Sequence, residues 1–118
     1  MKYALVLLFL TLSALAKATT YYVSSTGNDS DDGTTESTPW KTIAKVNSSF
    51  NNFKAGDRIL FKCGDEFHGT INITKSGISA FPITIGSYGS GGKPVITGFK
   101  TITAWTNTGG GIYSAPIS

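Results

Sequence analysis

Apolar residues keep three different rhythms along this chain. From Ala4 to Leu15 they run almost unbroken, interrupted only by Thr11 and Ser13, with Lys2 ahead and Ala16-Lys17-Ala18 behind. A short apolar run with a positive start and small residues at its end predicts an export signal over residues 1–18, cut before Thr19. A spanning helix needs roughly 20 apolar residues, and no Cys follows the run to carry a lipid. Thr19 to Ser24 then reads as a strand from its β-branched and aromatic content. Ser25 to Thr35, rich in Gly and Asx, reads as a loop. Thr38-Pro39 predicts a helix start, with Thr38 as cap and Pro39 at the first turn. Trp40, Ile43, Ala44 and Phe50 fall near one face, and the helix is expected to fade at Asn47-Ser48-Ser49.

After Gly56-Asp57 the rhythm becomes that of strands. Arg58 to Cys63, Thr70 to Thr74, Pro82 to Ile85, Pro94 to Thr97 and Thr101 to Trp105 are short β-type runs. Gly-rich turns separate them at Gly64-Asp65, Ser76-Gly77, Gly86 to Gly92, Gly98 and Gly109 to Gly111. Ile59 to Ile83 and Ile71 to Val95 each span 24 positions. A shared period suggests successive coils of a solenoid, with Ile59 under Ile83 and Ile71 under Val95. Periodicity alone leaves a β-sandwich equally open. The helix tips the reading toward the solenoid, because an open coil end needs a lid over its apolar section and edge amides. Trp40, Ile43 and Phe50 are expected to plug it. The expected class is all-β: a right-handed parallel β-helix, first coils only, with a short N-terminal capping helix. Its parts are residues 1–18, the signal; 19–56, strand, loop and cap; and 57–118, the first coils.

Charge changes the picture once the signal is set aside. The chain carries +3 overall, but Lys2 and Lys17 leave with the signal, so eight basic groups then face seven acidic ones. These basic residues are scattered, which excludes a nucleic-acid footprint. No glycine-rich stretch matches a nucleotide loop in a strand-to-helix setting, and no later segment could span a bilayer. Cys63 is the only cysteine, and it ends an apolar run, so a buried filler is expected.

Candidate chemistry is sparse. Asn28 to Gly33 gathers Asx oxygens that suit Ca²⁺. With Gly33 at the sixth place of a calcium loop, however, Pro39 occupies the twelfth, where a Glu is required. A self-bonded turn is the expectation. Asp65, Glu66 and His68 are the other polar group of catalytic type, and a strand would place Glu66 and His68 on one face with Phe67 opposite. Base rates favour a turn and two outward-facing residues. His68 is the only histidine, so a His-based metal site has no second ligand of its kind. Tyr21, Tyr22, Tyr88, Trp105 and Tyr113 offer rings on which sugars could stack, although most such residues serve a cap or core. Asn28, Asn47 and Asn72 begin glycosylation sequons.

Several motifs together resemble the N-terminal region of secreted right-handed β-helix proteins with the pectin-lyase-like fold. They are Tyr21-Tyr22-Val23-Ser24, Gly27-Asn28-Asp29-Ser30, Gly33-Thr34, Pro39-Trp40-Lys41-Thr42-Ile43 and Ala55 to Phe61 with Gly64-Asp65. Phe81 to Ile85, Ser87-Tyr88-Gly89, Lys93 to Gly98 and Trp105 to Tyr113 continue the likeness. The resemblance implies a polysaccharide lyase or glycoside hydrolase acting on pectin, alginate or related glycans. In that family the active site lies on middle coils. Lyases there use a Lys or Arg base, often with Ca²⁺ held by Asp and Glu in the full-length protein. No such position carries over, so no catalytic, cofactor or metal residue is assigned, and the chain is expected to be an inactive, poorly soluble N-terminal fragment. A non-catalytic adhesin or glycan-binding surface protein on the same scaffold is the alternative, and a self-contained small β domain a third reading.

Overall fold

In a computed structural model, which describes residues 17–99 and 105–115, the chain is mostly β with one short helix. The signal segment and most of the strand expected at 101–105 lie outside the described residues. β1 (Thr20–Val23) precedes α1 (Ile43–Ser49), which continues as a 3₁₀ turn over Phe50–Asn52. Then come β2 (Arg58–Lys62), β3 (Glu66–His68), β4 (Gly77–Ile78), β5 (Phe81–Pro82), β6 (Thr84–Tyr88) and β7 (Val95–Thr97). β8 (Thr106–Gly109) and β9 (Ile112–Ser114) close the order as an antiparallel hairpin.

Parallel pairing organises the rest. β2 lies between β1 and β6, with Tyr21 beside Ile59 and Ile59 beside Ile85. β3 pairs in parallel with β7, placing Phe67 beside Ile96. Parallel neighbours need long crossovers. The β1–β2 crossover carries α1, and the β2–β6 crossover carries β3 and the β4–β5 hairpin.

Period-two alternation then fills the core. Val23, Ile59, Phe61 and Phe67 meet Trp40, Ile43, Val46, Phe50 and Phe53 in one buried cluster. Trp40, Ile43 and Phe50 do plug this cluster, as their spacing suggested. Tyr21 stacks on Trp40 at 4.9 Å between ring centres, and Phe61 meets Phe67 edge-on at 4.9 Å. Such pairs add about 0.5–1.5 kcal/mol beyond burial.

The helix begins later than Thr38-Pro39 suggested. Thr42 is the cap, its hydroxyl accepting the Lys45 amide at 3.1 Å. Trp40 is held back from the helix by β1: its amide donates to the Tyr22 carbonyl, and its carbonyl accepts from Ser24. This shift puts Val46 on the buried face and leaves Ala44 exposed.

Both 24-residue stacks are also corrected. Ile59 pairs with Ile85 because the Thr84 amide donates to the Asp57 carbonyl and sets the ladder there. Ile83 instead donates to Ser76, and Pro82 pairs with Gly77 in the hairpin. Val95 pairs with Glu66, not Ile71. Thr70 to Thr74, expected as a strand, instead runs as part of a strap, residues 70–75, along the helix. Asn47 presents its side-chain amide to it like a strand neighbour, donating to the Thr70 carbonyl at 2.8 Å and accepting the Asn72 amide at 2.9 Å. Thr74 donates to Asn51 at 3.2 Å. Gly86, read as turn, lies inside β6, where it leaves room for the buried Leu60 side chain. Cys63 is half-buried rather than enclosed.

Candidate functional site

Two carboxylates from the expected polar clusters build the walls of a cleft without entering it. Asp29 takes the amides of Lys41 at 2.7 Å and Thr42 at 3.0 Å, and the Thr42 hydroxyl at 2.6 Å. It thereby fixes both the start of α1 and the Lys41–Ile43 wall. Asp65 accepts the Ser25 amide at 2.9 Å and the Ser24 hydroxyl at 3.2 Å, fixing the opposite rim. Burial alone would raise both carboxyls. For Asp29 the Thr42 hydroxyl and the two amides outweigh it, and for Asp65 the Ser25 and Ser24 donors do, so both lie below the ordinary value.

The floor and third wall come from β3. Phe67 turns into the core, whereas Glu66 and His68 project from the other face, as their alternation suggested. The cleft between these walls has a volume of about 220 Å³ and is lined by Ser25, Lys41, Thr42, Ile43, Glu66, Phe67 and His68. His68 Nδ1 lies 3.2 Å from the Phe99 carbonyl. A carbonyl only accepts, so Nδ1 carries the hydrogen and Nε2 faces Glu66 Oε1 at 3.5 Å. Both side chains are more than half exposed, at 51% and 59%, so this contact contributes little to folding.

This arrangement brings Glu66 and His68 together, and it adds Lys41 and Ser25, which sequence reasoning did not single out. The only signal for Lys41 was its place in the Pro39-Trp40-Lys41-Thr42-Ile43 motif. Asp65 is excluded from the cleft chemistry by its two donors. One free carboxylate does not make a glycosidase pair, because both hydrolytic routes use two, about 5–9.5 Å apart.

The Asn28–Gly33 loop is the self-bonded turn that was expected. Asn28 accepts the Ser30 amide at 2.9 Å, and Asp32 accepts the Thr34 amide at 2.9 Å and the Thr38 hydroxyl at 3.0 Å. The amide and hydroxyl donors of Thr34, with Thr38, hold the Asp32 carboxyl below its usual range. The Asp31 carbonyl accepts the Trp40 indole N–H at 2.9 Å. Among the described residues no three His, Cys, Asp or Glu side chains gather to hold a metal. Nor is any buried polar side-chain atom left without a partner among them.

The candidate sugar platforms divide by position. Tyr21 belongs to the core through Trp40 and Phe53. Tyr22 and Tyr88 meet edge-on at 5.0 Å across β2. Burial raises the phenols of Tyr21 and Tyr88, aided by Asp57 beside the first and Glu36 beside the second. Trp105 and Tyr113 are exposed at 57% and 59%. No described helix is long and apolar enough to cross a membrane.

No family model matches the chain. It is 42% identical over 91 residues to a lacto-N-biosidase from Bifidobacterium longum subsp. longum, covering 73% of this chain and 6% of that relative. Among solved structures it is similar to a GH136 lacto-N-biosidase from Eubacterium ramulus, with 38% identity and a TM-score of 0.59 over 64% of this chain and 12% of that one. It is also similar to XylC, solved in complex with xylose, with 30% identity and a TM-score of 0.64 over 80% of this chain and 14% of that one. The chain thus spans a small part of the length of each relative.

Proposed function

We propose that this chain forms the first layers of a secreted, right-handed parallel β-helix that degrades glycans by hydrolysis, with the reacting groups supplied by other layers. The observation that carries this reading is the parallel stack Tyr21–Ile59–Ile85, with Phe67–Ile96 beside it. Together with the likeness to two lacto-N-biosidases, it favours a hydrolase of lacto-N-bioside linkages over a uronate lyase. α1 and the 3₁₀ turn after it then serve as the end cap, because Ile43, Val46 and Phe50 cover the first layer. Lys2, the apolar run and Ala16-Lys17-Ala18 support export, and sequencing the mature N-terminus should find Thr19 first.

A segment exchange tests the function. The matched 91 residues of the B. longum enzyme are replaced by their counterparts here, and release of sugar from a chromogenic lacto-N-bioside is followed. A soluble, active chimera is expected, and no turnover by the chain alone. Turnover by this chain alone, or a chimera that folds without activity, overturns the reading.

A further inference from the structure

The cleft beside β3 has features that neither a catalytic pair nor a folding role accounts for. Ile43 and Phe67 give it an apolar floor, while its rim carries the Glu66 carboxylate, the Lys41 ammonium and the His68 imidazole. Glu66 and His68 are not consumed by structure: they are exposed, and only the His68 Nδ1 hydrogen is committed. Ser25 lines the same rim.

Mixed charge selects the ligand class. An anion gains from Lys41 but is repelled by Glu66, and a cation meets the reverse. A neutral polyhydroxylated ring satisfies both, giving hydroxyl hydrogens to Glu66 and taking hydrogen bonds from Lys41, while its C–H face covers apolar floor. Size narrows it further. At about 220 Å³ the cleft is smaller than the roughly 300–1,000 Å³ that hold drug-sized ligands, so it fits one sugar ring rather than an oligosaccharide. The Asp29 and Asp65 carboxylates hold the backbone amides of Lys41, Thr42 and Ser25 in place, so less main-chain ordering is left for binding to supply.

We propose that the cleft formed by Ser25, Lys41, Ile43, Glu66, Phe67 and His68 is a non-catalytic binding site for a single neutral sugar ring. It holds a glycan unit by hydrogen bonds and apolar contact and breaks no bond. The site belongs to this chain's own side chains and stands whether or not other layers hydrolyse glycans.

Titration of the full chain with xylose, galactose, glucuronate and glucosamine, followed by amide NMR shifts, tests it. The neutral sugars should move the signals of Lys41, Thr42, Glu66 and His68, and the two charged sugars should bind more weakly. Glu66→Gln and Lys41→Met, both at exposed positions, should each weaken neutral-sugar binding about tenfold while leaving the remaining spectrum in place. Shifts confined to other residues, tighter binding of glucuronate, or affinity unchanged in Glu66→Gln overturn the proposal, as does an absence of shifts at saturating sugar.

Discussion

The two layers of this fold use the same kind of residue to very different effect. In the first, Ile59 and Phe67 are 0% and 3% exposed. In the second, their ladder partners Ile85 and Ile96 are 36% and 41% exposed, and Val95 is 53% exposed. The pairing geometry is parallel in both, so strand formation does not explain the contrast. Enclosure does: α1 and Trp40 lie against the first layer, and the Gly33–Trp40 segment takes the backbone groups of Tyr22 and Ser24 at the outer side of β1. Hydrophobic stabilisation follows area removed from water, at about 25 cal/mol per Å², so stability is concentrated in the layer with the lid.

Phe61→Ala should break the comparison most severely. Phe61 is 1% exposed and packed on Phe67, and truncating such a ring costs about 3–5 kcal/mol. Ile96→Ala in the second layer should cost under about 1 kcal/mol, since much of that side chain is already in water. Urea midpoints of the two variants check the ratio. Equal losses would mean that the layers fold as one evenly loaded unit.

Glycine substitutions probe the same contrast at the backbone. Gly33 has φ +73°, and an added methyl would come within 2.6 Å of the Trp40 ring. Gly89 has φ +83° with nothing within 4 Å. Each Ala variant carries about 1–2 kcal/mol of left-handed strain, but only Gly33→Ala must also displace the lid. Its melting temperature should therefore fall further than that of Gly89→Ala.

Acid should loosen the lid next. The Asp29 carboxyl is more acidic folded than unfolded, so its contribution is present above the unfolded value of about 3.9 and is lost as pH falls through the lower folded value. The urea midpoint should therefore drop as pH falls from about 4 through the folded value, and Asp29→Asn should flatten that drop. The smallest effect is expected from Val95→Lys. It should leave the melting temperature nearly unchanged while raising solubility, because the second layer offers apolar surface rather than core.

Sequence patterning made the first layer legible and the second only coarsely so. Trp40, Ile43 and Phe50 were readable as core because burial imposes spacing on them. The cap at Thr42 was not, because Thr38-Pro39 supplies equally good start chemistry, and the decision rests with Asp29, 13 positions away from Thr42. The stack was displaced by two residues because Ile83 and Ile85 are equivalent in period-two reading. What separates them is the donor missing from Pro82 and the bond from Thr84 to Asp57. The strap over 70–75 looked like a strand because its alternation is genuine, but its backbone partner is a side-chain amide. Of the cleft, Glu66 and His68 were visible as a pair. Lys41 and Ser25 were not, since carboxylates distant in sequence bring them there.

Asn47 ties the strap to the helix with the nitrogen that an oligosaccharyltransferase would modify. In a eukaryotic secretory host, sugar attachment at this sequon would compete with docking of Thr70, whereas the exposed Asn28 and Asn72 face no such contest for their side-chain nitrogens. Occupancy at Asn47, mapped by mass spectrometry, would then act as a clock, recording whether the strap closes before or after the modifying enzyme arrives.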